Sequence, residues 1–205
     1  PDNRWGNFFS IGTRWNMKRE AFLEDVDWVN TLSLRASFGE VGNNMGIGLY
    51  AYQALYGITT NGGDAALLKT QLAAKDIKWE TTQNLDVAVE TRLFDRVNLS
   101  VGYFDKRSKD LLFDVKLPLS AGSNPWGDYM NMTQLKNIGT ISNRGLEIAA
   151  DVDIIKTNDW TWNMGIDATL LDSEIIKLPG GEDILNGSQK YSEGHAVREW
   201  FTYHF

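Results

Sequence analysis

Residues 78–110 read KWETTQNLDVAVETRLFDRVNLSVGYFDKRSKD, and the reading of this stretch decides the fold. Leu85, Val87 and Val89 fall on one parity, while Asn84, Asp86, Ala88 and Glu90 fall on the other. After Leu93-Phe94-Asp95-Arg96 the alternation resumes, with Val97, Leu99, Val101 and Tyr103 opposite Asn98, Ser100 and Gly102. A period of two belongs to strands, since successive side chains leave a strand on opposite faces. The stretch is therefore expected to be two strands and a tight turn.

Alternation alone does not say what the two faces meet. The flanks say more. The connection at 93–96 is short, whereas the segments before 78 and after 110 are long, Gly-rich and irregular. Short turns at one end and long loops at the other are the habit of outer-membrane barrels. The expected fold is thus all-β: a segment of an antiparallel transmembrane β-barrel, with short periplasmic turns and long extracellular loops. A hydropathy scan misses such a fold, because half of each strand faces a polar lumen. In keeping with this, mean hydropathy is −0.32, and no run stays apolar for the roughly 18 residues that a spanning helix needs.

Composition narrows the chemistry. The absence of cysteine removes disulfides, thiolate metal sites and an acylated N-terminal cysteine. A net charge of −7, without clustered Lys and Arg, argues against a nucleic-acid surface, which needs cations to neutralise phosphates. No secretion signal opens the sequence, and Pro1-Asp2-Asn3-Arg4 reads as a chain already under way. The expectation is a fragment or processed piece.

Upstream of the central hairpin, Phe9, Ile11, Thr13 and Trp15 alternate with Phe8, Ser10, Gly12 and Arg14. Residues 16–27 are charged, and are expected to form a connection with a helical turn, Phe22 packing near the rim. Leu32, Leu34, Ala36 and Phe38 then oppose Ser33, Arg35, Ser37 and Gly39. From 42 to 77 the periodicity dissolves around turn signals at Gly42-Asn43 and Asn61-Gly62-Gly63, and a long functional loop is expected. A second such excursion is expected over 111–136. Downstream, Leu146, Ile148, Ala150, Val152 and Ile154 oppose Glu147, Asp151 and Asp153. Next, Trp160, Trp162, Met164, Ile166, Ala168 and Leu170 oppose Thr161, Asn163, Gly165, Asp167 and Thr169. A third loop follows Lys177, and the chain ends in alternating aromatics at Phe205.

The strings RWGNFFSIGTRWNMKREAF, LSLRASFGEVGNN, the central hairpin, and NIGTISNRGLEIAADVDIIKTNDWTWNMGIDATLLDSEIIKL, in this order and spacing, resemble the SusC/RagA-like TonB-dependent outer-membrane transporters of Bacteroidetes-type bacteria. The resemblance implies a closed barrel of about 22 strands, an N-terminal plug, a TonB-contacting segment and a SusD-like surface lipoprotein as partner. It implies import of glycan oligosaccharides or peptides across the bacterial outer membrane. Residues 1–205 would supply about six strands, without the plug or the TonB box; TonB would act through the missing N-terminal part. In the family, the equivalent of 193–205 is not the end of the protein, which weighs against Phe205 as a terminal signal.

Charge placement tests the barrel reading. A Lys or Arg on the lipid face near the bilayer midplane costs about 2–4 kcal/mol. In the mid-strand stretches, Arg14, Arg35, Asp86, Glu90, Glu147, Asp151 and Asp167 all share the parity of Ser, Asn, Gly and Thr. They are the candidates for a polar lumen; the wet face of a soluble, secreted all-β glycan-binding module accounts for them as well. Trp15, Trp28, Trp160 and Trp162 lie near the proposed short-turn ends, where an aromatic girdle sits, and Trp79 lies near the opposite rim. In the long loops Tyr50, Tyr52, Tyr56, Trp126 and Tyr129 are candidates for stacking on a sugar or peptide, or for packing the loops together.

No catalytic constellation emerges. Glu147 and Asp167 make a conceivable glycosidase pair, but nothing in the sequence selects a separation or a raised pKa. His195 and His204 lie outside any metal-ligand spacing or nucleophile motif. Gly180-Gly181-Glu182-Asp183 and Asn61-Gly62-Gly63-Asp64 offer calcium-type donors without an EF-hand pattern, and read as turns. No enzyme, cofactor or metal is expected.

Overall fold

A computed structural model of the chain describes residues 3–117, 133–186, 189–197 and 199–200. The strands are β1 (Ser10–Asn16), β2 (Val29–Asn43), β3 (Leu55–Asn61), β4 (Asp64–Gln71), β5 (Glu80–Leu93), β6 (Val97–Lys116), β7 (Thr133–Lys156), β8 (Thr161–Lys177), β9 (Ile184–Asn186), β10 (Gln189–Tyr191) and β11 (Glu199–Trp200). A six-stranded sheet runs β1-β2-β5-β6-β7-β8, β3 pairs with β4, and β11-β10-β9 form a small third sheet. All the pairings are antiparallel.

The central hairpin is β5 and β6. At its turn Phe94 and Asp95 both take positive φ, 54° and 55°, and the Arg96 N–H donates to the Leu93 carbonyl at 3.0 Å. Two consecutive left-handed residues make the primed turn whose twist suits a hairpin. Neither residue is glycine, so the conformation needs support. Phe94 stacks on Trp28 with centroids 5.7 Å apart, the Asp95 N–H donates to Asn30 Oδ1 at 2.7 Å, and Arg92 Nη2 donates to the Asp95 carbonyl at 2.9 Å.

The connection from β1 to β2 begins with a 3-10 turn at Met17–Arg19. Lys18 Nζ donates to the carbonyls of Leu23, Glu24 and Val26, gathering the loop around one cation. Phe22 meets Trp15 edge-on at 6.5 Å.

Two loop expectations are corrected. Residues 42–77 are not irregular throughout: β3 and β4 form a hairpin whose turn is built on Gly62 (φ 63°) and Gly63 (φ 97°). Its strands mix small, apolar and polar residues, so no clean period marked them. The excursion expected over 111–136 is also shorter, because β6 continues to Lys116 and β7 starts at Thr133. A bulge between Ser108 and Leu111, with Asp110 at φ 56°, and a second irregularity beside it shift the register. An extra residue reverses the parity, so a strand that continues reads as one that stops. The third loop likewise contains β9, β10 and β11.

The bulge is stitched by side chains. Asn137 Oδ1 accepts from the Lys78 N–H at 2.9 Å, while its Nδ2 donates to the carbonyls of Lys78 (2.7 Å) and Asp110 (2.8 Å). Glu80 accepts from the Leu112 N–H and from Asn43 Nδ2, and Lys78 pairs with Asp110 at 2.9 Å. These bonds replace ladder bonds that the bulge interrupts.

The register aligns like with like. Trp15, Leu34, Val89, Val101, Ile148 and Ala168 form one continuous cross-strand row. Ser33, Glu90, Ser100, Ala149 and Asp167 form an adjacent row on the opposite face. Among the described residues, the buried apolar side chains are few: Val29, Ala74, Ile77, Ala88, Ile175 and Leu178. The apolar face lies open instead, with Val87, Val101, Ile148, Ile166 and Leu170 all exposed.

Candidate functional site

The polar face of the sheet holds the candidate site, and most of it sits on β1, β2, β5, β7 and β8. Arg14 and Arg35 are direct cross-strand partners, an arrangement that like charges resist. Glu90 resolves it. Its Oε2 accepts from Arg14 Nη2 at 2.8 Å, and its Oε1 lies 3.5 Å from Arg35 Nε. Arg14 Nη2 also donates to Ser33 Oγ at 3.0 Å. The guanidiniums are about half exposed and Glu90 about one-third exposed (32%), so solvent screens the cluster and it is worth about 1 kcal/mol or less. Its importance is the charge it presents: two cations against one anion.

Two shallow cavities open on this face. One of about 240 Å³ is lined by Arg14, Ser33, Glu90, Arg92, Asn98 and Asp151 among others. The second, about 210 Å³, is lined by Arg35, Gly102, Glu147, Asp167 and Thr169 among others. The floor between the charges is built from small residues: Ala88, Ser100, Gly102 and Ala149 occupy successive positions across β5, β6 and β7. A polypeptide laid against the wall can approach the backbone there.

The seven candidates for a polar lumen thus fall on one face, but not into one cluster. Arg14, Arg35 and Glu90 are brought together. Glu147, Asp151 and Asp167 lie on β7 and β8, with Asp167 opposite Ala149 and Glu147 opposite Thr169. Asp86 stands apart, opposite Ser37 and Phe104. No salt bridge among the described residues engages Asp86, Glu147, Asp151 or Asp167. Sequence reasoning passed over Ser33, Arg92 and Asn98, which complete the first cavity; only the strand register reveals that they are neighbours.

The loop aromatics divide. Tyr50 lines a cavity of about 500 Å³ with Leu49, Gln71, Asp114 and Gln134 among others, and Gln71 Nε2 donates to its carbonyl at 2.8 Å. Tyr52 lines a different cavity with Asn3, Arg4 and Trp79. Tyr56 is on β3 rather than in a loop, and is exposed. Trp126 and Tyr129 lie outside the described residues, as does Phe205. The two suspected calcium loops are turns: Gly180 and Gly181 take φ of 71° and 69°, in the pattern of Gly62 and Gly63.

Four tryptophans lie near the short-turn ends of the strands. Trp15 ends β1, Trp28 precedes β2, and Trp160 and Trp162 open β8; all four are exposed. Trp79 lies at the other end, its ring 5.8 Å from Phe8.

Comparison with known proteins gives this geometry a family. The family model "TonB dependent receptor-like, beta-barrel" matches residues 1–204. The chain is 32% identical to the TonB-dependent receptor SusC of Bacteroides thetaiotaomicron, over 96% of its own length and 20% of that protein's. It is 29% identical to the TonB-dependent receptor P3 of Formosa agariphila, over 100% of its own length and 21% of the relative's. It spans about a fifth of the length of these relatives. In fold it resembles the RagAB peptide importer in its open-open state, with a TM-score of 0.81 and 22% identity over 97% of this chain and 21% of that one. The soluble two-sheet module is thereby set aside as the explanation of the alternation. The chain belongs to the TonB-dependent receptor-like β-barrel family, SusC/RagA-like in kind, and its six-stranded sheet is a stretch of outer-membrane barrel wall.

Proposed function

We propose that this segment serves a TonB-dependent importer that takes up glycan oligosaccharides or peptides with a SusD-like surface lipoprotein. The observation that carries the reading is the division of one sheet into a charge-free apolar face across the mid-strand rows and a polar face centred on Arg14, Glu90 and Arg35. The apolar face solvates the wall in lipid. The polar face meets water and the plug, and its excess of positive charge on β1 and β2 against carboxylates on β7 and β8 would orient an inserted domain. Energy coupling would reach this wall from TonB through the plug, which is assigned to residues outside 1–205. The segment itself carries no catalysis in this reading.

Tyr50 and Tyr52, with Tyr56 on β3 and with Trp126 and Tyr129, are proposed as contacts to cargo, since aromatic faces stack on sugar rings and on peptide side chains. The RagAB name refers to peptide and the SusC relative bears a different name, so cargo class is decided by transport rather than by likeness. The test is uptake of labelled oligosaccharides and of labelled peptides by cells carrying the full-length protein, with and without a protonophore. Uptake of one class that collapses when the proton gradient is abolished is the expected result. Equal uptake in cells lacking the gene would refute the proposal.

A further inference from the structure

The parity that runs apolar along the lipid-facing side does not stay apolar. On β6 it passes from Val101 and Tyr103 to Asp105 and Arg107; on β7, from Ile148 and Leu146 to Arg144; on β8, from Ile166 and Leu170 to Asp172. The change occurs at matched positions. Asp105 is the register partner of Arg144, and Arg144 that of Asp172. The result is a row of alternating charge across three strands. Arg107 holds Asp105 through two bonds, of 3.2 and 2.8 Å. Arg144 holds Asp172 at 2.8 Å and lies 3.9 Å from Glu174. Arg107, Arg144 and Asp172 are open to the outside, 52%, 50% and 63% exposed, whereas Asp105 is largely covered (14%) beneath Arg107.

Its height agrees with a membrane boundary. Carried across the register, Trp15 on β1 aligns with Ala168 on β8, whereas the β8 girdle residue is Trp162. That is a stagger of about six residues over five strand steps, or a strand tilt of about 40° for strands about 4.8 Å apart. The apolar residues of β7 from Leu146 to Ile154 then rise about 21 Å, within the roughly 25 Å apolar band of such barrels. The charged row begins immediately above it, at the long-loop end.

We infer that Arg107, Arg144 and Asp172, with Asp105 holding Arg107 in place, form a contact row for the phosphate-bearing lipid headgroups of the outer leaflet. A guanidinium fits a phosphate through paired hydrogen bonds, and the interleaved carboxylates suit the divalent cations that accompany a phosphate surface. Charges of both signs at this level would be costly in hydrocarbon and are useful among headgroups. The row rests on the membrane assignment of the sheet and not on its cargo.

The test uses the full-length protein in its own outer membrane, with single cysteines at Asp172 and Leu170 and any cysteine elsewhere removed. An impermeant maleimide applied to intact cells should label Asp172→Cys at least several-fold faster than Leu170→Cys. Equal labelling of both, or protection of both by a covering protein, overturns the placement. Purified Arg107→Gln/Arg144→Gln protein should retain at most half of the wild-type lipid phosphate, and the Arg107→Lys/Arg144→Lys pair should recover part of it. Unchanged lipid phosphate in a correctly folded Gln variant overturns the headgroup contact. Cargo uptake is expected to persist in these variants, so failure here is separable from failure of the import reading.

Discussion

At the scale of single residues, Gly145 shows what the polar face requires. A Cβ built there would lie 2.9–3.0 Å from the Phe104 ring, and closer still to the Leu170 carbonyl oxygen. Phe104 is the register partner of Gly145, so the aromatic covers a strand position that has no side chain of its own, as cross-strand aromatics do over glycine. Gly145→Val in the full-length protein is expected to destabilise the barrel by about 1–3 kcal/mol through overpacking. A lowered midpoint in the heat-induced shift of mobility on gels checks it, and an unchanged midpoint counts against the packing account. The same scale shows what residue types alone conveyed. Arg14 and Arg35 were visibly on the polar parity, but that they face each other, and that Glu90 bridges them, follows from registers between strands far apart in sequence. Asp105 and Arg144 share the lipid parity, which is informative only once the strands are known to continue past Tyr103 and Leu146.

At the scale of elements, the central hairpin and the strand beginning at Trp160 were legible because their period of two is unbroken. The ends of β6 and β7 were not, because the bulge at Asp110 reverses the parity just where a loop was expected. Asn137 joins the pieces across that bulge. Asn137→Ala should remove its three hydrogen bonds to Lys78 and Asp110 and cost about 1–3 kcal/mol. The loss should show as faster hydrogen exchange at the Lys78 amide, with the turn at 93–96 unaffected. The segment after β8 folds back on its edge, the Ile175 N–H donating to the His195 carbonyl and the Gly194 N–H to the Ile175 carbonyl. There the Lys190 ammonium, 2.6 Å away, and the Ser192 hydroxyl hold the Asp183 carboxyl below its ordinary value of 3.8. A depressed carboxylate stabilises above its unfolded pKa, and that contribution fades as pH falls through the folded value. Protection of the Gly194 amide, corrected for intrinsic exchange, is therefore expected to drop below about pH 4. In Asp183→Asn it should be low at every pH; a flat wild-type profile would show that the ion pair does not hold the fold-back.

At the scale of the whole molecule, a single sheet with one open apolar face, and with edges on β1 and β8 that the fold-back at Ile175 covers only at one end, is not a self-sufficient domain. Residues 1–205 expressed alone are expected to require detergent, and to sediment as aggregates without it. A compact monomer in detergent-free buffer would contradict the wall assignment. Fold class was legible from this one-sided pattern, which lipid imposes on every spanning strand, and orientation from the short turns and long loops that flank it; the family was legible from the four quoted strings and their order. Cargo was not, because nothing in the alternation encodes what the loops hold.

The strand order has a kinetic side. Apart from the step between β2 and β5, which takes in the β3–β4 hairpin, every strand of the large sheet pairs with its immediate predecessor in the chain. Loop-closure entropy grows only slowly with loop length, and local pairings form fastest. The wall can therefore grow by zippering, each new strand docking on the edge left by the last. That inserted hairpin would be the slow step, since β5 has to wait for about 36 intervening residues to clear the way to β2.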